Sequence, residues 1–223
     1  MSKLYIAREA RPIATFTLIA ANLIVFGLTF IFGRVFMISN FGVVPINVVA
    51  APDIQTFLHG VFTLFTSMFI HDGFLHIFFN MWGLLIFGRD VEIVLGRPRF
   101  ITLYFVSGVV GGLAYAFTSY YFPSHRFAPL IPAVGASGAV FGVMGAFGVL
   151  FPRRPLALFL YLIPIIAPAY IVIIVLAALQ TLFAFTMPFS SIAYSAHIGG
   201  LAVGLSLSKI LTATLARYRE DYW

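Results

Sequence analysis

From Ile13 to Phe32 the chain runs without one charged side chain, and comparably apolar stretches recur along the sequence. A run of this length, about 20 residues, is what a helix needs to cross a hydrocarbon core. A bilayer tolerates only structures that satisfy their backbone hydrogen bonds internally, so repeated runs of this kind commit the chain to a bundle of helices. A soluble domain is excluded on the same ground. Charged residues make up 9% of the 223 positions, where soluble domains hold roughly a quarter. Cysteine is absent, which removes disulfide frameworks and thiol chemistry. The net charge of +6 is dispersed at the ends of apolar stretches, a pattern of membrane topology and not of a nucleic-acid surface.

Read in order, the chain gives an all-α polytopic membrane protein. A short segment, residues 1–12, leads into a six-helix membrane domain over 13–212, and a polar tail occupies 213–223. The first span is Ile13 to about Phe32. It is too long for the apolar part of a signal peptide, so it is read as retained. Gly33 to about Ile70 is too apolar for a flexible linker and too broken for a span, which places it partly embedded at the outer interface. The remaining spans are expected at Phe74 to Gly88, Ile101 to Tyr121, Ser137 to Phe151, a fifth between Pro155 and Phe185, and Tyr194 to Thr212. Pro164 and Pro168 interrupt the fifth, so its helix is expected to begin near Ala167, after an irregular or interfacial stretch. His59 and His125 read as loop residues. Lys3, Arg8, Arg11, Arg89, Arg97, Arg99, Arg153, Arg154 and Lys209 fall on the side of the termini, and Arg34 and Arg126 on the other. By the positive-inside rule both termini are cytoplasmic, in an inner or plasma membrane.

Within this frame one octet stands out, Gly135-Ala136-Ser137-Gly138-Ala139-Val140-Phe141-Gly142. A serine among small residues leaves its Oγ uncovered, while glycines let another helix approach closely. Two other spans carry histidines, His76 and His197. His76, Ser137 and His197 lie thirteen, sixteen and twelve residues before Arg89, Arg153 and Lys209. At the rise of a helix that puts them roughly 20, 24 and 18 Å above the inner face, in one layer of the outer half. The fourth span is then too short to cross, so the loop before Ser137 dips below the outer surface and lines a wet pocket. Gly138, Gly142 and Gly145 form one smooth stripe; Ala196, Gly200 and Gly204 form another beside His197. Packed together, the stripes bring Ser137 and His197 within reach.

A serine hydroxyl becomes nucleophilic when a base takes its proton, and imidazole titrates near neutrality. Asp72 is placed at the outer surface, Asp90 and Glu92 at the inner one. No carboxylate is expected at the depth of His197, so the proposal is a dyad, with the ring held by packing and by backbone or water. His76 and Asn80, one turn apart on the second span, are candidate donors for an oxyanion.

These residues resemble the rhomboid intramembrane serine proteases. The likeness rests on His76-Ile77-Phe78-Phe79-Asn80, on Gly135-Ala136-Ser137-Gly138, and on Ala196-His197-Ile198-Gly199-Gly200 followed by Gly204, in that order along a six-helix core from about Ile13 to Thr212. The resemblance implies a nucleophile at Ser137 and a base at His197. It also implies an oxyanion hole from His76, Asn80 and the Ser137 N–H, with Gly135, Phe141 and His71 completing the oxyanion and substrate-binding set. His71, just outside the second span, either lines water access or plays no part. Glu92 with Gly96 matches a structural pair of the family. Two departures stand: Phe62-Thr63 occupies the place of the family's Trp-Arg pair, and Phe141 keeps an aromatic ring where a Tyr often stacks on the histidine.

The implied activity is cleavage of transmembrane protein substrates within the lipid bilayer through an acyl-enzyme, with no metal or cofactor and no nucleic acid. The loop from Phe185 to Tyr194 is the expected cover, and lateral access between the second and fifth spans is what the family suggests. Other readings stand beside this one. In one, Ser137 is a packing residue and His197 a structural histidine bonded to a carbonyl; His76 and Asn80 are interhelical cross-links. As a whole, the chain is alternatively a silent rhomboid-like protein that binds and escorts transmembrane helices, or a transporter, against which the few intramembrane charges and the lack of a repeat argue.

Overall fold

The computed structural model describes residues 11–160, 163–187 and 192–220. Helix α1 spans Ile13–Phe32, as the apolar run predicts. It stops at Gly33, whose N–H donates to the Thr29 carbonyl. The connection that follows, read as too broken for a span, is a series of short helices: α2 is Arg34–Phe41, α3 Pro45–Val49, α4 Ile54–Thr66, with a 3₁₀ turn over Ser67–Phe69. The reason is visible in α4. Asp53 caps it by accepting from the Thr56 N–H at 2.8 Å, and that bond holds the Asp53 carboxyl below the ordinary carboxylate range. Gly60, Thr63 and Leu64 are buried at helical spacing, while Ile54, Leu58 and Phe62 are exposed. His59 therefore sits on a helix and not in a loop.

The second span is longer than its apolar run. α5 (Phe74–Gly83) continues through a π-helical turn, Leu84–Gly88, into α6 (Arg89–Leu95). Arg89 and Asp90 do not end it, since the cost of charge at an interfacial turn is small. Gly96 does, at φ +78°. α7 follows over Arg97–Tyr121 and α8 over Ser137–Leu150. The stretch expected to be irregular after Arg154 is a two-stranded antiparallel hairpin, β1 (Pro155–Leu160) and β2 (Ile163–Pro168), with Pro155 opposite Pro168. Proline is admissible in such a ribbon because each strand has an unpaired edge. α9 is Ala169–Thr186 and α10 is Tyr194–Glu220, eight residues longer than the apolar run, which ends near Thr212.

Among the described residues, α1, α7 and α9 are long and apolar enough to cross a membrane. The pair Ile54–Phe69 and Phe74–Leu95, bent by 82°, makes a fourth if it counts as one broken span. The chain is a mostly helical integral membrane protein with α8 at its centre. In α8, Gly138 to Val140 and Gly142 to Phe147 are buried, against α7 on one side and α10 on the other. The two small-residue stripes do meet: a Cβ on Gly200 would overlap the Gly138 carbonyl, and one on Gly204 the Gly142 carbonyl. Without hydrophobic force between helices in lipid, such backbone contact is what holds them. Ion pairs join residues assigned to the same face, Arg34 with Asp72 and Arg154 with Asp90.

One buried carboxylate organises the start of α1. Glu92, 3% exposed, accepts from the N–H groups of Ala14 and Thr15 at 2.8 and 2.7 Å and from the Thr15 hydroxyl at 2.8 Å. It thus caps α1, whose first N–H groups have no intrahelical acceptor and carry the positive end of the dipole. Replacing Glu92 by Ala strands these donors in the interior, and unfolding free energy should fall by on the order of 3 kcal/mol. Denaturation in mixed micelles measures it; an unchanged midpoint would mean that α1 is not held through Glu92.

Candidate functional site

Ser137 is placed by the end of a loop and the start of a helix. The loop is pinned to the rest of the chain: Val43 and Ala133 exchange two backbone bonds of 2.9 Å, and the Gly135 N–H donates to the Ser67 carbonyl at 2.9 Å. Gly135 then turns the chain at φ +119°, a region closed to most L-residues. The turn is needed because His76 lies against it; a Cβ at Gly135 would stand 2.5 Å from His76 Nε2. Ser137 opens α8, so its side chain and the N–H groups of the first turn share the open end of the helix.

His197 comes from α10, one residue past Ala196, whose carbonyl borders Gly111 and Gly138. The close approach of α8 and α10 brings His197 Nε2 to 2.8 Å from Ser137 Oγ. Phe141, one turn after the serine, lies flat on the imidazole, with ring centroids 4.4 Å apart and planes 4° from parallel. Tyr194 meets the ring edge-on at 6.4 Å. Nδ1, on the far side, is 2.8 Å from Gln180 Oε1 of α9. Sequence reasoning expects backbone or water in that place and leaves Gln180 unassigned. An amide oxygen only accepts, so Nδ1 meets it as a donor when the ring proton is there, and a ring in that tautomer has its Nε2 lone pair free for the serine hydroxyl.

The remaining candidates divide. His76 faces the turn at Gly135, and its Nδ1 accepts from the Asp72 N–H at 3.2 Å, which leaves Nε2 as the protonated nitrogen directed at the Ser137 loop. Asn80 is buried, and its amide donates to the His76 carbonyl at 2.9 Å. It is thus engaged along its own helix, as short polar side chains in apolar surroundings tend to be. His71 is fully buried; it meets His76 edge-on at 5.0 Å, and its Nε2 lies 3.5 Å from the Ala136 N–H. It supports the loop before Ser137. The expected cover, Phe185 to Tyr194, includes residues 188–191, which lie outside the described residues. Beside the serine is a small cavity of about 30 Å³, bordered by Ser67, Gly108, Tyr115, Gly135 and Ala196, room for one water.

Chemically, the arrangement offers a hydroxyl 2.8 Å from one imidazole nitrogen, an amide on the other, and a small recess beside the serine. A family model described as "Rhomboid domain" matches residues 58–214. "Rhomboid protein 1, mitochondrial" of Saccharomyces cerevisiae is 32% identical over 154 residues, 69% of this chain and 43% of that protein. "Putative rhomboid protease YdcA" of Bacillus subtilis is 32% identical over 146 residues, 65% of this chain and 64% of that protein. "Inactive RHOMBOID-like protein 8" of Arabidopsis thaliana is 31% identical over 88 residues, 40% of this chain and 22% of that protein. The matches thus span less than two thirds of the length of these relatives.

Proposed function

The chain belongs to the rhomboid family, and from that premise we propose that it is an intramembrane serine endopeptidase acting on transmembrane segments of other proteins. The observation that carries the reading is the relay Gln180–His197–Ser137, with 2.8 Å on each side of the imidazole. His197 Nε2 takes the proton of Ser137 while Oγ bonds to the scissile carbonyl carbon. The carbonyl oxygen becomes an oxyanion facing the His76 Nε2–H and the N–H groups that open α8. The imidazolium then protonates the leaving nitrogen, the C–N bond breaks, and an acyl-enzyme remains on Ser137. A water then gives a proton to His197 as its oxygen attacks the acyl carbon; the acyl C–Oγ bond breaks, His197 returns the proton to Ser137 Oγ, and the second product leaves as a carboxylic acid. The protein spans the membrane six times in this reading, with the bent pair, α8 and α10 completing the count, and the basic side inward.

Oxyanion support makes a prediction of its own. Gly135→Ala forces a side chain onto His76 and onto a left-handed backbone. Turnover should drop about 10²-fold, as when an oxyanion donor is lost. KM should hold, because substrate contacts away from the reacting carbonyl are unchanged. Steady-state kinetics on a cleaved substrate decide it, and unaltered turnover would remove His76 from the mechanism.

The function itself is tested by co-reconstituting the protein in liposomes with a panel of single-span substrates carrying helix-breaking residues. The proposal expects cleavage within or beside the span by wild type and none by Ser137→Ala. Stable binding of the span without cleavage by either would replace the protease with a helix-binding rhomboid-like protein.

A further inference from the structure

We propose that Gln180 is a positioning residue that selects the base-competent tautomer of His197 and ties that tautomer to the seat of α9. The inference rests on the serine-protease reading and deepens it. A glutamine amide offers two faces, one accepting and one donating. With Oε1 toward Nδ1, as here at 2.8 Å, the ring proton sits on Nδ1 and Nε2 is free to take the serine proton. With the NH₂ face presented instead, or with no partner, nothing holds the proton on Nδ1. A ring protonated on Nε2 donates to Ser137 Oγ and cannot act as its base. The stacked Phe141 fixes the plane of the imidazole but is indifferent to which nitrogen carries hydrogen. Gln180 supplies that choice.

The position of Gln180 in the fold adds the coupling. α9 is anchored at its inner end, where Ala169, Val172 and Ile173 are buried. There the N–H groups of Ala169 and Tyr170 donate to the Arg154 and Pro152 carbonyls at 2.9 and 3.1 Å. Further out, Ile174, Leu182 and Phe185 are exposed. Thr181 and Thr186 spend their hydroxyls on their own helix, and Phe183 and Met187 contact Tyr194. Among the described residues the outer half of α9 meets α10 at Phe183, Met187 and Gln180, and the hydrogen bond between His197 and Gln180 joins the dyad to this half of the helix. A displacement of this half by about 1 Å lengthens that bond beyond the useful range. The dyad is then complete only when α9 is seated.

The test uses the full chain in micelles, carrying ¹⁵N-labelled histidine, as wild type, Gln180→Leu, Gln180→Met and Gln180→Glu. Two quantities are read for each: the ring ¹⁵N shifts of His197, assigned by difference from His197→Ala, and the rate of Ser137 labelling by a fluorophosphonate. Wild type is expected to show a protonated Nδ1. In the Leu and Met variants, whose side chains accept no such bond of comparable strength, the ring should become a tautomer mixture and labelling should slow about 10-fold or more. Glu retains an acceptor oxygen at the same reach and should restore both readings to within a few-fold of wild type. The proposal is overturned if the apolar variants keep a protonated Nδ1 and wild-type labelling, or if Glu rescues neither reading. A wild type that is never labelled counts against the protease reading alone, because the ¹⁵N comparison still reports whether Gln180 sets the tautomer. Two apolar variants guard against misfolding of one.

Discussion

In His197→Ala, cleavage of a transmembrane substrate should fall by about 10⁴-fold or more, with little change in the unfolding midpoint. The size follows from what the ring supplies. Without Nε2 at 2.8 Å, no acceptor stands ready for the Ser137 proton as Oγ bonds to the carbonyl, and no donor meets the leaving nitrogen. The recess that faces the oxyanion stays in place, so the residual rate should exceed that of solution hydrolysis. Ser137→Ala should lose as much, and the double variant no more than either single one, because the two side chains act as a unit. Additive losses would mean that they serve separate steps. Stability should be nearly preserved since the ring, although buried, makes its contacts with Phe141, Gln180 and Ser137 and lies outside the backbone contacts of the two small-residue stripes.

The second large effect leaves every reacting group untouched. Gly200→Ala adds one methyl on α10 where it would collide with the Gly138 carbonyl, one residue past the nucleophile. A carbonyl held in a helix cannot turn aside, so α8 and α10 must separate. A shift of about 1 Å at the dyad is enough to cost roughly 10² in rate, and overpacking should lower stability by about 1–3 kcal/mol. Gly204→Ala, which meets the Gly142 carbonyl in the same way, should destabilise similarly while disturbing the dyad less, as it lies farther from Ser137. Gly27→Ala on α1, where an added Cβ meets nothing within 4 Å, is the control and should be neutral. Normal activity in Gly200→Ala would show that the helix spacing does not set the Ser137–His197 distance.

The sequence carried these pieces unequally. Ser137, His197 and the glycine stripes were legible because apolar runs fix depth, and small residues at helical spacing announce close packing before any coordinates exist. Phe141 was legible for the same reason, being one turn from Ser137. Gln180 was not. It is a single amide inside α9, and its approach to His197 depends on how α9 and α10 pack, which no spacing along the chain encodes. A costly polar group in an apolar helix was the available signal. The hairpin at 155–168 was hidden because its apolar residues do not alternate and its prolines argue against strand. The helices α2 and α3 were hidden because each is too short for its periodicity to stand out between glycines and prolines, whereas α4, at 13 residues, is long enough to show one. Asn80 is a candidate oxyanion donor by residue type, and in this structure one hydrogen of its amide goes to the His76 carbonyl, a bond along its own helix that leaves the NH₂ group its second hydrogen.

The central claim, that Ser137 is a nucleophile activated by His197, is met most directly by labelling the folded, purified protein with a fluorophosphonate and mapping the adduct by mass spectrometry. The chemistry mirrors the first step of cleavage: the Ser137 Oγ–P bond forms, the P–F bond breaks and His197 takes the proton. One adduct on Ser137 in wild type, absent from Ser137→Ala and from His197→Ala, is the predicted result. An unlabelled wild type, or a His197→Ala variant labelled at the wild-type rate, would contradict it.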